Sequence, residues 1–215
     1  MRMHRLALVL VFTLAALSLA SAQRPAAAPL TAADLPAQLT PETRQSIARL
    51  GDSLRSLHLP DEPLYAKAAE GVLKGADDAR ILAVVRTLAR ELGDARASLG
   101  SGADDVELTA GASALHVGAT PAMLRRLQEA RPETGAGHSL ATALVALADL
   151  LTRKVPPTVA AAAIDSLVTR RAPVADFAAL RAAVERDIEA GRTPEAAVTT
   201  RTQTLLRNIE GRRPD

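Results

Sequence analysis

One short pattern recurs along this chain and limits what it can fold into. A helix runs into Gly or a basic residue, two or three residues turn the chain, and a capping residue opens another helix. It occurs as Gly75-Ala76-Asp77, as Gly118-Ala119-Thr120-Pro121 and as Gly191-Arg192-Thr193-Pro194, with Lys154-Val155-Pro156-Pro157 as a Gly-free version. Gly tolerates the left-handed conformation just past a helix end. Thr or Asp accepts from the free amides of the next first turn, where Pro also fits because its missing N–H costs nothing. The step is 36 residues from Gly118 to Lys154 and 37 from Lys154 to Gly191. It is 43 from Gly75 to Gly118, where small and polar residues over 93–104 read as a longer loop. This spacing predicts four helical hairpins in series, each with a tight internal turn.

The segments between joints carry helical apolar faces. Thr40-Pro41-Glu42 reads as a helix start, followed by Ile47, Leu50, Leu54 and Leu57 at helical spacing, and Pro60 ends the segment. Ile81, Val84, Val85, Leu88 and Leu92 form a second stripe, Leu144, Leu147, Ala148 and Leu151 a third, and Phe177, Leu180, Val184 and Ile188 a fourth. No stretch alternates with period two for long enough to make a strand. The expected fold is all-α, about nine helices arranged as serial helical hairpins, either a short solenoid-like array or a globular bundle. Tyr65, Phe12 and Phe177 are the only aromatic residues, so the helices are expected to meet through Ala at close approach. The last helix is unusual in that Thr199, Thr200, Thr202 and Thr204 crowd it with β-branched polar residues.

The N-terminus reads as an export signal. Arg2 and Arg5 precede an apolar run from Leu6 to Ala20, and Ala20-Ser21-Ala22 supplies the small-x-small pattern before Gln23. At about 15 residues the run is short for a membrane span, which needs roughly 20. The organisation expected is a signal peptide over 1–22, a flexible or extended Pro/Ala-rich leader over 23–40, one helical domain over 41–211 and a tail over 212–215. No later apolar stretch approaches the length of a span, so the processed chain is expected to be soluble, exported, and periplasmic or extracellular. The totals of 26 basic and 24 acidic residues become equal once Arg2 and Arg5 leave. The precursor's pI near 9.5 is therefore no argument for nucleic acid or anionic lipid. The absence of Cys excludes a disulfide scaffold and thiolate metal sites.

The candidate chemical groups each have an ordinary structural account. His58, His116 and His138 lie in separate segments, none in a metal-binding His spacing, and His58 and His116 sit near helix C-termini where a cation is favoured. Gly137-His138-Ser139 is not a nucleophile elbow, and Ser139 is expected to cap the helix that follows at Leu140. Asp61-Glu62, Asp77-Asp78 and Asp104-Asp105 stand at helix starts and lack the further oxygen ligands of a calcium loop. The basic pairs Arg125-Arg126, Arg153-Lys154, Arg170-Arg171 and Arg212-Arg213 are interspersed with acids and fit helix ends. Ala114, Gly118 and Leu124 have helix-turn-helix spacing, but that turn occurs in any helical hairpin. Gly71-x-x-x-Gly75 contains Lys74 and lies in no apolar 20-mer.

No catalytic residue, cofactor or metal ligand is assigned from the sequence. The expected function is non-enzymatic binding of another protein in the cell envelope or outside, without nucleic acid. The alternatives are a hydrolase or lyase using carboxylates from separate helices, and a carrier of small ligands or lipid.

Overall fold

The way each helix ends sets where the next begins. In the computed structural model, which describes residues 29–131 and 140–211, there are nine α-helices and no strand among the described residues. They are α1 (Pro41–Ser56), α2 (Glu62–Leu73), α3 (Asp78–Leu99), α4 (Asp105–His116), α5 (Pro121–Glu129), α6 (Ala141–Thr152), α7 (Pro157–Thr169), α8 (Val174–Glu189) and α9 (Pro194–Gly211).

The joints share one closure. Past α4, Gly118 sits at φ 109°; its N–H bonds the Leu115 carbonyl at 3.1 Å, and the Ala119 N–H reaches back to Ala114 at 2.9 Å. That crossed pair satisfies carbonyls the helix leaves open at its end. The same pair closes α1 at His58, α2 at Gly75, α6 at Lys154, α7 at Arg171 and α8 at Gly191. All six pivots have positive φ, and three of them (His58, Lys154 and Arg171) are not glycine. The next residue plugs the turn, with Leu59, Ala119, Val155 and Ala172 all buried. A cap then follows at once. Asp77 accepts from the Arg80 N–H at 2.7 Å, Thr120 from Met123 at 3.3 Å and Thr193 from Ala196 at 3.3 Å. Pro121, Pro157 and Pro194 open their helices as first residues.

Each of these turns takes four or five residues; α2 and α3, α6 and α7, and α8 and α9 then pack side by side, whereas α4 and α5, and α7 and α8, make no principal contact with each other. The odd helices α1, α3, α5, α7 and α9 succeed one another along one layer, and α4, α6 and α8 along the other. Every principal contact joins elements no more than two apart in chain order, the pattern of a stacked array. Helix α6 lies centrally, against α4, α7 and α8, and its Leu144, Leu147 and Leu150 have no exposed surface. Small residues set the spacing. A Cβ on Gly111 would stand 3.2 Å from that of Ala95, and one on Gly71 would stand 2.7 Å from Ile81 Cγ1.

Several expectations change. The part of the leader that is described is not simply extended: Ala32–Asp34 form a 3-10 turn, and Leu35 and Leu39 are buried against the first helices. Its turn is fixed by Asp34, whose carboxylate accepts the amide and hydroxyl of Thr31, both at 2.8 Å. Leu57 lies past the end of α1 and is 64% exposed, and Val84 is likewise exposed. The loop expected over 93–104 is only 100–104, because α3 continues through Gly93 to Leu99. Nothing lies near a Cβ at Gly93, and the 22-residue helix absorbs this one weak former through packing on both sides of it. Residues 130–140 separate α5 from α6, too many for the tight turn expected there. Helix α6 begins at Ala141, and Ser139 lies outside the described residues, as do Ala20, Ala22, Gln23 and His138.

Left-handed φ disfavours a Cβ, so replacing Gly118 by Ala is expected to lower stability by about 1 kcal/mol, and Lys154→Gly to raise it by about 0.5 kcal/mol. Urea midpoints of the two variants against the parent check both signs.

Candidate functional site

The first joint and the face of α4 flank a groove of about 700 Å³ open to solvent. One wall is Pro60, Asp61, Glu62 and Pro63; the opposite wall is Asp105, Val106, Thr109, Ala110 and Ser113 of α4, with Val145 of α6 and Pro29–Thr31 completing it. Three large apolar side chains are exposed here: Val106 at 65%, Val145 at 42% and Leu30 at 36%. Such residues gathered at one concavity are a binding feature more than scattered surface apolarity is.

A polar network stiffens the first wall. Asp61 makes no bond to the amides of α2; its carboxylate pairs with Arg55, which also holds Asp52, and accepts the Tyr65 hydroxyl at 3.0 Å. This corrects the expectation that Asp61 is simply a cap. Burial, reinforced by the bond to Asp61, pushes the Tyr65 phenol above its ordinary range. Tyr65 is reached only because residue 51 is glycine: a Cβ there would stand 2.0 Å from the phenol oxygen. Behind the joint, Arg96 donates to the carbonyls of His58 at 2.9 Å, Ser101 at 2.9 Å and Ala103 at 3.2 Å. One guanidinium thus ties the α1–α2 joint to the α3–α4 loop.

Elsewhere the charged groups clamp neighbouring helices. Thr40 caps α1, accepting from Thr43 N–H at 3.3 Å, and its own amide and hydroxyl donate to Asp78 at 2.9 and 2.6 Å. Those donors hold the Asp78 carboxyl below its usual range. Asp104 accepts from the Glu107 N–H at 2.8 Å. Glu107 itself is buried, paired with Arg131 and accepting the Leu140 amide at 2.8 Å, so it grips both flanks of residues 132–139. Asp149 bridges Arg153 at 3.0 Å and Arg181 at 3.3 Å, joining α6 to α8. Burial pushes its carboxyl up, but the bonds from Arg153 and Arg181 outweigh that and leave it low. Asp187 takes a two-pronged bond from Arg201, at 2.8 and 2.5 Å, which lowers it as well. Arg201 sits inside the Thr-rich stretch, where Thr202 is buried and the Thr204 hydroxyl returns to the Thr200 carbonyl at 3.0 Å.

The residues singled out in the sequence do not converge on one place. Thr40, Pro41, Gly75, Asp77, Gly118, Thr120, Pro121, Gly191, Thr193 and Pro194 are distributed among four helix junctions, where they shape the chain. His58 is the left-handed pivot after α1, and His116 Nδ1 lies 3.1 Å from Glu91 across the α3–α4 contact. Of the basic pairs, Arg126 reaches Asp165 at 3.0 Å, Arg153 reaches Asp149 and Glu185, and Arg170 pairs with Glu210; Arg212-Arg213 lie outside the described residues. The groove's valines and the Gly51–Tyr65 contact were missed. Val145 lies off the apolar stripe of α6, and an off-stripe valine beside an acidic helix start, as at Asp105-Val106, was the one available signal. Among the described residues no group of three or more His, Asp or Glu is placed to hold a metal ion, and no helix is long and apolar enough to cross a membrane.

No protein-family model matches this chain, and no curated protein or solved structure matches it.

Gly51→Ala is expected to cost about 1–3 kcal/mol through overpacking. The penalty should shrink in a Tyr65→Phe background, because the clashing atom is the hydroxyl; a double-mutant cycle of unfolding free energies reads this. The carboxylates also set an acid limit. Lys67 and Lys74 hold Glu70 down at about 2, and Asp78, Asp149 and Asp187 are lowered too. Groups with depressed folded values stabilise above their unfolded values, roughly pH 4, and that stability is lost as the pH falls through the folded ones. Urea midpoints should be level from neutral pH to about 5 and drop between about pH 4 and 2.

Proposed function

We propose that this chain is an exported, non-enzymatic binding module that engages another protein in the cell envelope or outside the cell after cleavage between Ala22 and Gln23. The observation that carries the reading is the open groove of about 700 Å³ between the first joint and α4, with Val106, Val145 and Leu30 exposed in it. An open, apolar-walled groove suits a protruding segment of a partner better than it suits the enclosure of a small molecule. The serial architecture supports the same reading, since stacked helices present long continuous faces without altering their own core. The route out of the cell is argued from Arg2, Arg5, the apolar run and Ala20-Ser21-Ala22.

Native mass spectrometry of the protein recovered gently from an expressing cell's periplasm tests this. A polypeptide mass beginning at Gln23 with a co-purifying protein is expected. The complex should weaken when Val106→Asp and Val145→Asp are combined, by about tenfold or more in Kd, as charge enters an apolar contact. A retained small molecule in place of a protein would move the assignment to a carrier, and a mass that still includes residue 1 would overturn the cleavage and the soluble localisation.

A further inference from the structure

We propose that the cleft between α2 and α3 binds a phosphate-type anion through Lys67, Lys74 and Arg80, with the organic part of the ligand against Ile81 and Val84. The cleft has a volume of about 330 Å³, within the range of small-molecule sites. Two helices make it. Lys67, Glu70, Gly71 and Lys74 follow one face of α2, and Arg80, Ile81 and Val84 line it from α3. The helices meet closely here, since a Cβ on Gly71 would stand 2.7 Å from Ile81 Cγ1. That approach brings cations from both helices to one space.

Three cations and one acid line the cleft, whereas three acids and one arginine line the groove at the first joint. Glu70 pairs with Lys67 at 2.7 Å and with Lys74, so one carboxylate fixes both ammonium groups. A single lysine fulfils the ordinary role of such a pair on a helix, and the second is an excess charge. Among the described residues no carboxylate pairs with Arg80. The acids nearest in sequence are engaged elsewhere: Asp77 accepts the Arg80 backbone N–H at 2.7 Å, and Asp78 accepts from Thr40. The residue type adds a second argument. Lys67, Lys74 and Lys154 are the only lysines in a chain whose other permanent cations are arginines. A guanidinium closes on a carboxylate with two parallel bonds, whereas an ammonium gives Glu70 one donor and keeps others for a ligand. Separate cations from two helices suit an anion with several equivalent oxygens, and the exposed Val84 offers an apolar wall to the group that carries it.

A soluble phosphomonoester and a phospholipid headgroup share this chemistry, and two titrations at constant ionic strength separate them. In the first, amide chemical shifts of the purified protein are followed as glycerol 3-phosphate is added. In the second, the protein is co-sedimented with vesicles of phosphatidylglycerol in phosphatidylcholine, against phosphatidylcholine alone. Saturable binding to at least one probe is expected, with the soluble probe shifting the amides of Gly71, Gly75, Ala76 and Arg80. Lys67→Gln combined with Lys74→Gln should raise the dissociation constant by at least about tenfold, and Arg80→Gln by at least about threefold. Lys154→Gln, at the α6–α7 joint, should change it by less than about twofold. All variants keep the parent's N-terminus, so any membrane affinity of that segment cancels, and urea midpoints confirm that each remains folded. Binding of glycerol 3-phosphate assigns a soluble ligand. Binding of anionic vesicles alone, weakened by Leu73→Asp at the 87%-exposed end of α2, assigns a headgroup. No saturable binding to either probe, or binding indifferent to the Lys67 and Lys74 substitutions, overturns the proposal.

Discussion

The crossed backbone bonds that close the helices are the constraint from which the rest of this structure follows. Each fixes a left-handed residue and delivers the chain to a cap or a proline two residues on, and four of the six bury the residue between. The chain therefore reverses in a few residues with its carbonyls satisfied. A short reversal leaves little freedom in where the next helix can lie, so the order of elements along the chain becomes their order in space. Three of the pivots bear a side chain at positive φ, a conformation that disfavours a Cβ, and the turn is kept because the two returning bonds and the apolar plug outweigh the strain.

With so few aromatic residues, the interior is built from many small contacts. The leucines of α6 and the alanines and glycines around them give interhelical spacing that a large side chain would prevent, as the approach of Gly71 to Ile81 and of Gly111 to Ala95 shows. Charged groups are laid over this packing at helix-to-helix seams: Asp78 accepts hydrogen bonds from Thr40, Asp149 pairs with Arg153 and Arg181, and Asp187 pairs with Arg201. Most are partly exposed, so their contribution is to register and orientation more than to net stability. Glu107 differs because it is buried and held from two sides. Removing its partners would leave a carboxylate without compensation in the core.

Much of the scaffold was legible in the sequence, and for a stateable reason. Caps, first-turn prolines and terminal glycines act within four or five residues, so Thr40-Pro41, Asp77, Gly118-Ala119-Thr120-Pro121 and Gly191 could be read without knowing the fold. His58-Leu59-Pro60 and Arg171-Ala172-Pro173 have the same form as Lys154-Val155-Pro156, and were readable as the same joint. The continuity of α3 through Gly93 was not, because packing against α1, α2, α4 and α5 decides it. The groove was least legible of all. It depends on Val106, Val145 and residues 29–31 meeting across more than 100 residues of sequence, and on Tyr65 finding glycine at 51. Spacing within one helix carries no information about such a meeting.

The restriction of principal contacts to elements at most two apart has a consequence in time. A chain whose partners are close in sequence loses little loop entropy in bringing them together, and helical proteins of that kind fold in microseconds to milliseconds. No disulfide has to form, and among the described residues no distant strand has to be found. A protein built in this way can persist by re-forming quickly each time it opens, with less dependence on a high barrier to opening. Its ends, in contact with neighbours on one side only, are where such opening would begin.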